Sequence, residues 1–240
     1  MADPALEALL VLQDVDIALD RLRHRRQTLP ERAQLKELAA RSEHLGAERA
    51  VVAAERDKLA AVEEGLEDEI RASDTRAREI ERRMYSGEVS GSRELSVMAD
   101  EVTSLRARSS DLEDRGLEVL AEREPLDGRV ADFDAELGDL EAAASKARSE
   151  LTAAEAEVDR ELAEQEGRRA EAAAAVPASL FPEYDRLRAR LGGVAVARLV
   201  GSRCDGCHLT LPATELDRIR HQPPDAVVTC DNCGRILVRA

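Results

Sequence analysis

The strongest constraint on the fold is an apolar period of seven residues that continues through most of the chain. Such a period, sustained over many repeats, is typical of the buried seam of a coiled coil. It predicts long helices that each bury one apolar stripe. The stripe runs through Leu38, Leu45, Val52, Leu59, Leu66 and Ile80, with Ser73 interrupting it, and then through Met98, Leu105, Leu112, Val119, Leu126, Phe133 and Leu140.

The two periodic halves are separated by residues 85–92, which contain two glycines and three serines. These residue types favour turns, and Ser92 is suited to cap the helix that follows. We therefore predict that the chain reverses here and forms an antiparallel hairpin. The alternative is a parallel coiled coil of two chains, in which the helix continues through Gly87 and Gly91.

Helix lengths are compatible with the hairpin, because the two predicted arms match. At 1.5 Å per residue, each arm would be on the order of 120 Å long. Residues equidistant from the turn should lie opposite each other, so that Pro30 faces Ala147. Proline ends or kinks helices, and we expect a break near Pro30 and a kink without a register shift at Pro125. The predicted helices are 4–27, 31–84 and 93–175, and together they form a coiled-coil domain over residues 1–175.

Composition argues against most enzyme folds. The chain has 240 residues, of which 35% are charged and only 2% are aromatic, and aromatic side chains supply much of the buried area of a compact core. A formal net charge of −15 opposes extensive contact with nucleic acid. No apolar stretch approaches the roughly 20 residues of a membrane span, and we see no secretion signal. We expect a cytoplasmic protein without membrane contact.

The pattern changes after residue 175. Residues 176–193 read as a connector, with a short helix over 183–191 that turns Tyr184 and Leu187 inward and ends at two glycines. Residues 194–240 read as a small β module, which we call the ribbon. Its predicted elements are strands at 194–200, 226–229 and 236–238, and one or two helical turns within 212–220.

All four cysteines lie in the ribbon, as two pairs with the spacing Cys-x-x-Cys. Each pair places two thiolates on one tight turn, and four thiolates around one tetrahedral ion form a closed structural zinc site. We predict one structural Zn²⁺ held by Cys204, Cys207, Cys230 and Cys233. The 22 residues between the pairs are expected to form a hairpin that joins the two turns.

Two other uses of the cysteines are less favoured. Disulfides are rare in cytosolic proteins, and a thioredoxin-like redox pair would need a surrounding βαβ pattern that is absent from the sequence. His208 follows the first pair, but four cysteines already complete a tetrahedron, so we expect it to be exposed. A closed zinc site leaves no position for a reactive water, and no motif places a catalytic pair, so we expect no enzyme activity.

Arginine clusters are the remaining candidates for binding. Arg21, Arg23, His24, Arg25 and Arg26 form a basic group at the end of the first helix, where cations favour the helix dipole, and we interpret it as a solvated helix end. In the ribbon, arginines that share one face would support binding of RNA or DNA, although the ribbon has no aromatic residue for base stacking. These arginines are Arg218, Arg220, Arg235 and Arg239.

Several short motifs resemble one known family. They are Met84-Tyr85-Ser86-Gly87 and Arg93-Glu94-Leu95 at the predicted turn, and Cys204-Asp205-Gly206-Cys207-His208, Leu211-Pro212 and Cys230-Asp231-Asn232-Cys233-Gly234-Arg235-Ile236-Leu237 in the ribbon. The chain is similar to the bacterial family with a coiled-coil hairpin and a C4-type zinc ribbon. Characterised relatives act in flagellar or type III secretion systems, as partners or chaperones of an alternative sigma factor, of secretion components or of messenger RNA.

The resemblance implies a mainly α protein with a non-enzymatic adaptor role. It carries over the four cysteines as zinc ligands, and it suggests the hairpin tip as a contact surface for protein partners. The tip residues concerned are Tyr85, Ser86, Gly87, Arg93, Glu94 and Leu95. The alternative function is a regulator that binds nucleic acid through the ribbon arginines. We expect a monomer or a weak homodimer.

Overall fold

A computed structural model describes residues 3–223 and 225–239. The remaining positions, Met1, Ala2, Pro224 and Ala240, belong to the predicted coiled-coil and ribbon domains and lie outside the described residues. The fold is mainly α, with a small C-terminal sheet. In chain order the elements are α1 (Pro4–Gln27), α2 (Pro30–Tyr85), α3 (Ser92–Ala174), α4 (Phe181–Arg190), β1 (Val196–Val200), β2 (Arg203–Cys204), α5 (Ala213–His221) and β3 (Ile236–Arg239).

Contacts divide the chain into two compact units. The hairpin unit comprises Gln34–Ala147, and the terminal unit comprises Met1–Ala33 together with Arg148–Ala240. Among residues 3–223 and 225–239, no helix has an apolar stretch long enough to cross a lipid bilayer.

The hairpin unit contains most of α2 and the first two thirds of α3, packed antiparallel. Near the turn, Ile80 of α2 packs with Met98 and Val102 of α3, and further along Arg123 forms an ion pair with Glu63. The antiparallel hairpin is therefore confirmed, and the chain reverses between Tyr85 and Ser92 as the glycines and serines predict. Burial in α2 follows the predicted heptads: Leu45, Val52 and Leu66 are all buried.

The register between the arms departs from simple equal distance. Arg76 pairs with Glu101, as residues equidistant from the turn should. Arg49, however, pairs with Asp134 and not with a residue near position 128. Side chains on a helix lean towards its N-terminus. In an antiparallel hairpin this leaning brings an α2 side chain to an α3 partner that is further from the turn.

Pro125 does not end α3, which continues as one helix from Ser92 to Ala174. The half-buried Leu126 and Phe133 keep the inward phase of the heptads. The register therefore continues across the proline, as predicted, and the kink expected at Pro125 stays a prediction. Proline removes only one hydrogen bond of the helix, and the residue whose carbonyl loses its partner, Ala121, is exposed to water.

The terminal unit places a three-stranded sheet between two apolar clusters. The strand order is β2-β1-β3, in which β1 is antiparallel to β2 and parallel to β3. One cluster joins the sheet to α1 and α4, and the other joins it to α5 and the cysteines. The first contains Leu6, Leu9, Leu12, Val176, Tyr184, Leu187, Ala195, Val196, Ile236 and Val238, and the second contains Ala197, Leu199, Cys204, Leu211, Leu216, Ile219, Val228, Cys230 and Leu237.

One strand predicted for the ribbon was wrong, and the helix predicted there was confirmed. Residues 226–229 do not form a strand, because a single bridge between Thr229 and Ile236 is all that forms before the chain turns at the second cysteine pair. The helical turns predicted within 212–220 are confirmed, since α5 occupies this part of the segment that joins the two cysteine pairs. The strands predicted at 194–200 and 236–238 correspond to β1 and β3, and the short β2, which was not predicted, pairs with β1 immediately before the first cysteine pair.

Candidate metal centre

The four cysteine sulfurs converge on one point. Their Sγ atoms all lie within 4.8 Å of one another, and the distances Cys204–Cys233 and Cys207–Cys230 are both 3.9 Å. A tetrahedral zinc ion with Zn–S bonds of about 2.3 Å requires sulfurs about 3.8 Å apart. The donor set and its spacing therefore fit one structural Zn²⁺, as the sequence predicts.

Each cysteine pair lies on a tight turn that its own backbone closes. The amide of His208 donates to the carbonyl of Cys204 at 2.8 Å, and the amide of Gly234 donates to the carbonyl of Cys230 at 2.7 Å. Both residues have positive φ, 63° at His208 and 73° at Gly234. The turns are therefore equivalent, and His208 occupies the position that glycine occupies in the second turn. As expected, His208 is exposed.

Gly206 is needed for a different reason from Gly234. Its φ is not positive, but a Cβ atom there would lie 2.6 Å from Cδ of Arg235 and 2.9 Å from Cβ of Ala197. Glycine at position 206 allows the first cysteine turn to pack closely against β1 and against the second turn.

Protonation of the thiols differs across the site in the absence of metal. Burial raises the pKa of Cys204, and it raises the pKa of Cys230 to about 12. Burial acts in the same direction on Cys233, but hydrogen bonds from the backbone and side chain of Arg235, together with those from Cys230 and Cys207, outweigh it and lower the pKa of Cys233 to about 7. Because thiolates are the ligands, zinc binding must displace protons from the buried cysteines.

Side chains outside the Cys-x-x-Cys motifs support the second turn. Arg235 donates from Nε to the carbonyl of Val194 at 3.0 Å. Glu215 is buried on α5, and its carboxylate accepts from the amide of Asp231 at 3.1 Å. Neither role can be predicted from the sequence, since a single charged residue outside a motif gives no local signal of its partner.

Comparison with known proteins now defines the family. Residues 12–192 match the CT398-like coiled coil hairpin domain, and residues 203–237 match the C4-type zinc ribbon domain. The chain belongs to the CT398-like coiled-coil hairpin family. The two matches divide the chain near the connector, where α4 joins the hairpin to the ribbon.

Relatives of this CT398-like chain are similar over almost their whole length. The Mycobacterium tuberculosis (strain H37Rv) protein Rv2229c is 31% identical over 232 residues, which are 97% of this chain and 94% of the relative. A solved structure from Mycobacterium smegmatis has a TM-score of 0.82 and 28% identity, and covers 99% of both chains. CT398 from Chlamydia trachomatis has a TM-score of 0.70 at 20% identity, and 98% of both chains is covered, which supports the fold.

The start of the ribbon is attached to α1 by a buried polar side chain, Gln13. Gln13 donates from Nε2 to the carbonyl of Val196 at 2.9 Å, and its Oε1 accepts from the amides of Ala195 and Val196, both at 2.7 Å. Gln13 therefore satisfies the backbone at the start of β1. Its position on the apolar face of α1, next to Leu12, was the sequence signal that could have revealed this role.

Asp16 forms a second buried polar centre one turn further along α1. Its carboxylate is 1% exposed and accepts from the hydroxyl of Tyr184 at 2.7 Å and from Nε of Arg169 at 2.6 Å. Nε of Arg188 lies 3.4 Å from the same carboxylate. Burial and the bond to Asp16 raise the pKa of Tyr184, because both favour the neutral phenol.

Of the predicted tip residues, Tyr85, Ser86 and Gly87 lie where α2 ends and the turn begins, and Arg93, Glu94 and Leu95 lie in the first turn of α3. Tyr85 is 87% exposed, and Arg93 and Glu94 are also exposed, whereas Leu95 is half-buried. Ser86 accepts from the amide of Glu88 at 3.3 Å through its hydroxyl, which also donates to the carbonyl of Arg83. Gly87 has a φ of 82°, so the reversal uses a conformation that glycine adopts without strain.

The ribbon arginines are largely engaged within the protein. Arg218 pairs with Asp231 at 3.2 Å, and Arg235 bonds to a backbone carbonyl as described above. Arg239 donates to the carbonyls of Ile219 and Gln222 at 2.9 and 3.0 Å. Arg220 is exposed. Three of the four guanidinium groups therefore contact other groups of the ribbon.

The basic cluster at the end of α1 lies against the last part of α3. Arg25 pairs with Glu161 at 3.0 Å, and Arg26 pairs with Asp159 at 2.6 Å. Arg23, Arg25 and Arg26 are all at least 41% exposed. The cluster is therefore a solvated helix end, as interpreted from the sequence, with ion pairs that connect α1 to α3.

Proposed function

We propose that this protein is a non-enzymatic zinc-binding adaptor that holds protein partners at the hairpin tip and at the ribbon. The observation that carries the proposal is the 87% exposure of Tyr85, one of only two tyrosines in the chain, at the tip of a long hairpin. Aromatic side chains are enriched at the centres of protein interfaces. The family resemblance links these partners to transcription or secretion, in the cytoplasm.

Ordered packing beneath the tip favours its use as a contact surface. Met84 and Val89 pack on the cluster formed by Ile80, Met98 and Val102. The turn is therefore supported from below while Tyr85 projects into solvent. A surface ordered before binding loses less conformational entropy when a partner docks.

The ribbon offers apolar side chains of its own. Val200, Leu209 and Val227 are 57%, 54% and 41% exposed. Zinc coordinated by four thiolates has no open position for substrate or water. The role that this site supports is therefore structural: it holds the ribbon surface in one conformation.

Engagement of the arginines favours a protein partner over nucleic acid. Arg218, Arg235 and Arg239 make contacts within the ribbon, and a phosphate would have to displace them. Phosphate contacts supply most of the affinity of non-specific nucleic-acid binding.

The test is capture of the tagged protein from its own organism after brief crosslinking, with and without nuclease. Wild type is compared with Tyr85→Ser at the tip and Leu209→Ser in the ribbon. Val51→Ser is the matched control, because Val51 is 64% exposed on α2 but lies in neither surface. We expect defined proteins to resist nuclease, and each surface variant to lose its own subset.

Two results would contradict the proposal. Retained material that disappears with nuclease would identify a nucleic-acid regulator instead. If both surface variants retain the same proteins as Val51→Ser, neither the tip nor the ribbon is the binding surface. Sedimentation of the purified variants checks that each remains in the monomer or weak dimer that we expect.

A further inference from the structure

An apolar groove of about 300 Å³ lies between α2 and α3 in the middle of the hairpin unit. Leu66 and Ile70 line it from α2, and Leu117 and Leu120 line it from α3. Leu66 is buried in the seam, but Leu117 is 64% exposed and Leu120 is 39% exposed. The groove therefore presents leucines that the hairpin itself leaves uncovered.

Gly116 contributes no side chain to the groove. It lies within the lining, and a Cβ atom added there would meet no other atom within 4 Å. A larger residue at this position would add a side chain to the lining of the groove. Glycine in a helix interior costs roughly 0.5–1 kcal/mol relative to alanine, so stability alone does not favour it here.

Charge around the groove is strongly one-sided. Residues 61–70 of α2 contain five acidic and no basic side chains, and residues 111–122 of α3 contain five acidic side chains and one arginine. Arginines outside these segments, Arg71, Arg108 and Arg123, pair with Asp68, Glu69 and Glu63. Glu67 and Glu113 line the groove itself, and no basic residue pairs with either of them among residues 3–223 and 225–239.

We propose that this groove binds an amphipathic helix of a partner protein with a cationic polar face. The apolar stripe of such a helix would pack on Leu117 and Leu120, and its lysines or arginines would reach the acidic rim. This is the helix-in-groove mode of recognition, in which apolar anchors recur at three- and four-residue spacing. The surface is separate from the tip and the ribbon, so it does not depend on the function proposed for them.

Charge argues against a second copy of this chain as the occupant. Two copies meeting through this groove would bring the same acidic segments together, and like charges in contact oppose association. A cationic helix instead gains from the same charges. Its association rate should fall as salt increases.

The test uses a designed peptide, because the partner is unidentified. The probe is a fluorescently labelled helix with leucines at positions i, i+3, i+4 and i+7 and lysines elsewhere. The control peptide has the same leucines and glutamates in place of the lysines. Gly116→Leu fills the groove, and Gly128→Leu is its matched control, because Gly128 is also on α3 and a Cβ there also meets nothing within 4 Å.

We expect the lysine peptide to bind wild type and Gly128→Leu equally, and at least tenfold more weakly to Gly116→Leu. The glutamate peptide should bind none of them. Far-UV circular dichroism shows whether each variant retains its helix content. Equal binding of the lysine peptide to all three proteins would overturn the proposal, since attraction to net charge alone would explain it. The proposal would also be overturned if the wild-type protein were a dimer and Gly116→Leu dissociated it, because a second copy of the chain would then occupy the groove.

Discussion

The hairpin unit and the terminal unit are stabilised in different ways. In the hairpin unit, buried residues repeat along α2 and α3, and the ion pairs between the arms are mostly exposed, as at Arg49–Asp134. In the terminal unit, the zinc site, the Gln13 contacts and the Asp16 centre each occur once. Losing one heptad layer leaves the neighbouring layers intact. When one of these three centres is lost, no second copy in the terminal unit takes over its contacts.

This difference indicates which part of the fold is most sensitive to single substitutions. A repeated seam spreads its stability over many similar layers, and exposed ion pairs add little. A buried polar centre is costly to break, because its remaining members stay desolvated without partners. The terminal unit should therefore respond strongly to single substitutions that the hairpin unit tolerates.

Removing zinc should have the largest effect. Two of the four ligands, Cys204 and Cys230, belong to the apolar cluster beneath α5. On the order of 10 kcal/mol of zinc-binding free energy contributes to folding in small zinc modules. Chelation, or Cys204→Ser, should raise amide hydrogen exchange across residues 203–237 towards the rates of an unfolded chain.

The hairpin unit is the internal control for that experiment. Exchange across Gln34–Ala147 should not change, because its packing does not involve the cysteines. Equal acceleration in both units would show that the comparison is wrong. Unchanged exchange in the ribbon would show that zinc is not required for its structure.

Breaking the Asp16 centre should have the next largest effect. Asp16→Ala leaves Tyr184, Arg169 and Arg188 without their shared carboxylate, and the expected loss of stability is about 3 kcal/mol. Asp159→Ala is the matched control, since it removes an exposed partner of Arg26 and should cause little change. Urea unfolding, monitored by hydrogen exchange of amides near α4, measures the loss of stability in both variants. Equal losses in Asp16→Ala and Asp159→Ala would contradict the prediction.

High pH should weaken the terminal unit through Tyr184. Its pKa in the folded state is raised above the ordinary value of 10.0 by burial and by Asp16. The phenol therefore contributes its full stability below pH 10, and this contribution is lost as the pH rises above 10. The loss is about 1.4 kcal/mol per pH unit.

Tyr184→Phe isolates that titration, because the variant has no phenol to ionise. Urea unfolding at pH 9, 10 and 11 should show wild type losing stability faster than Tyr184→Phe above pH 10. Parallel curves for the two proteins would mean that burial of Tyr184 does not disfavour its ionised form.

Adding one methyl group to a glycine should have the smallest effects, and with opposite signs in the two units. Gly206→Ala should destabilise the ribbon by about 1–3 kcal/mol, because its Cβ would lie 2.9 Å from that of Ala197. Gly65→Ala in α2 should stabilise the hairpin unit by about 0.5–1 kcal/mol, since nothing lies within 4 Å of its Cβ. Thermal unfolding measures the change in stability of both variants. A change of the same sign in Gly206→Ala and Gly65→Ala would contradict the prediction.

Sequence analysis predicted much of the fold because the relevant signals are local. The bounds of α1, the reversal between Tyr85 and Ser92 and the inward positions of Tyr184 and Leu187 follow from short-range patterns. The zinc ligands are also local signals, since each cysteine pair needs only one tight turn. The strand at 226–229 failed because its short apolar run resembles a strand, while the neighbouring cysteine turn allows only one bridge.

The fold class follows from the sequence alone, because the heptads predict a helical hairpin and the four cysteines predict a zinc ribbon. The tertiary structure decided which polar residues act together. Gln13 and Val196 are separated by 183 positions, and Asp16 and Tyr184 by 168. It also decided that β1 and β3 are parallel and that Gly116 lines an apolar groove between α2 and α3. The physical reason is that a periodic pattern reports the environment of its own helix, whereas a buried hydrogen bond depends on two distant segments arriving at one place.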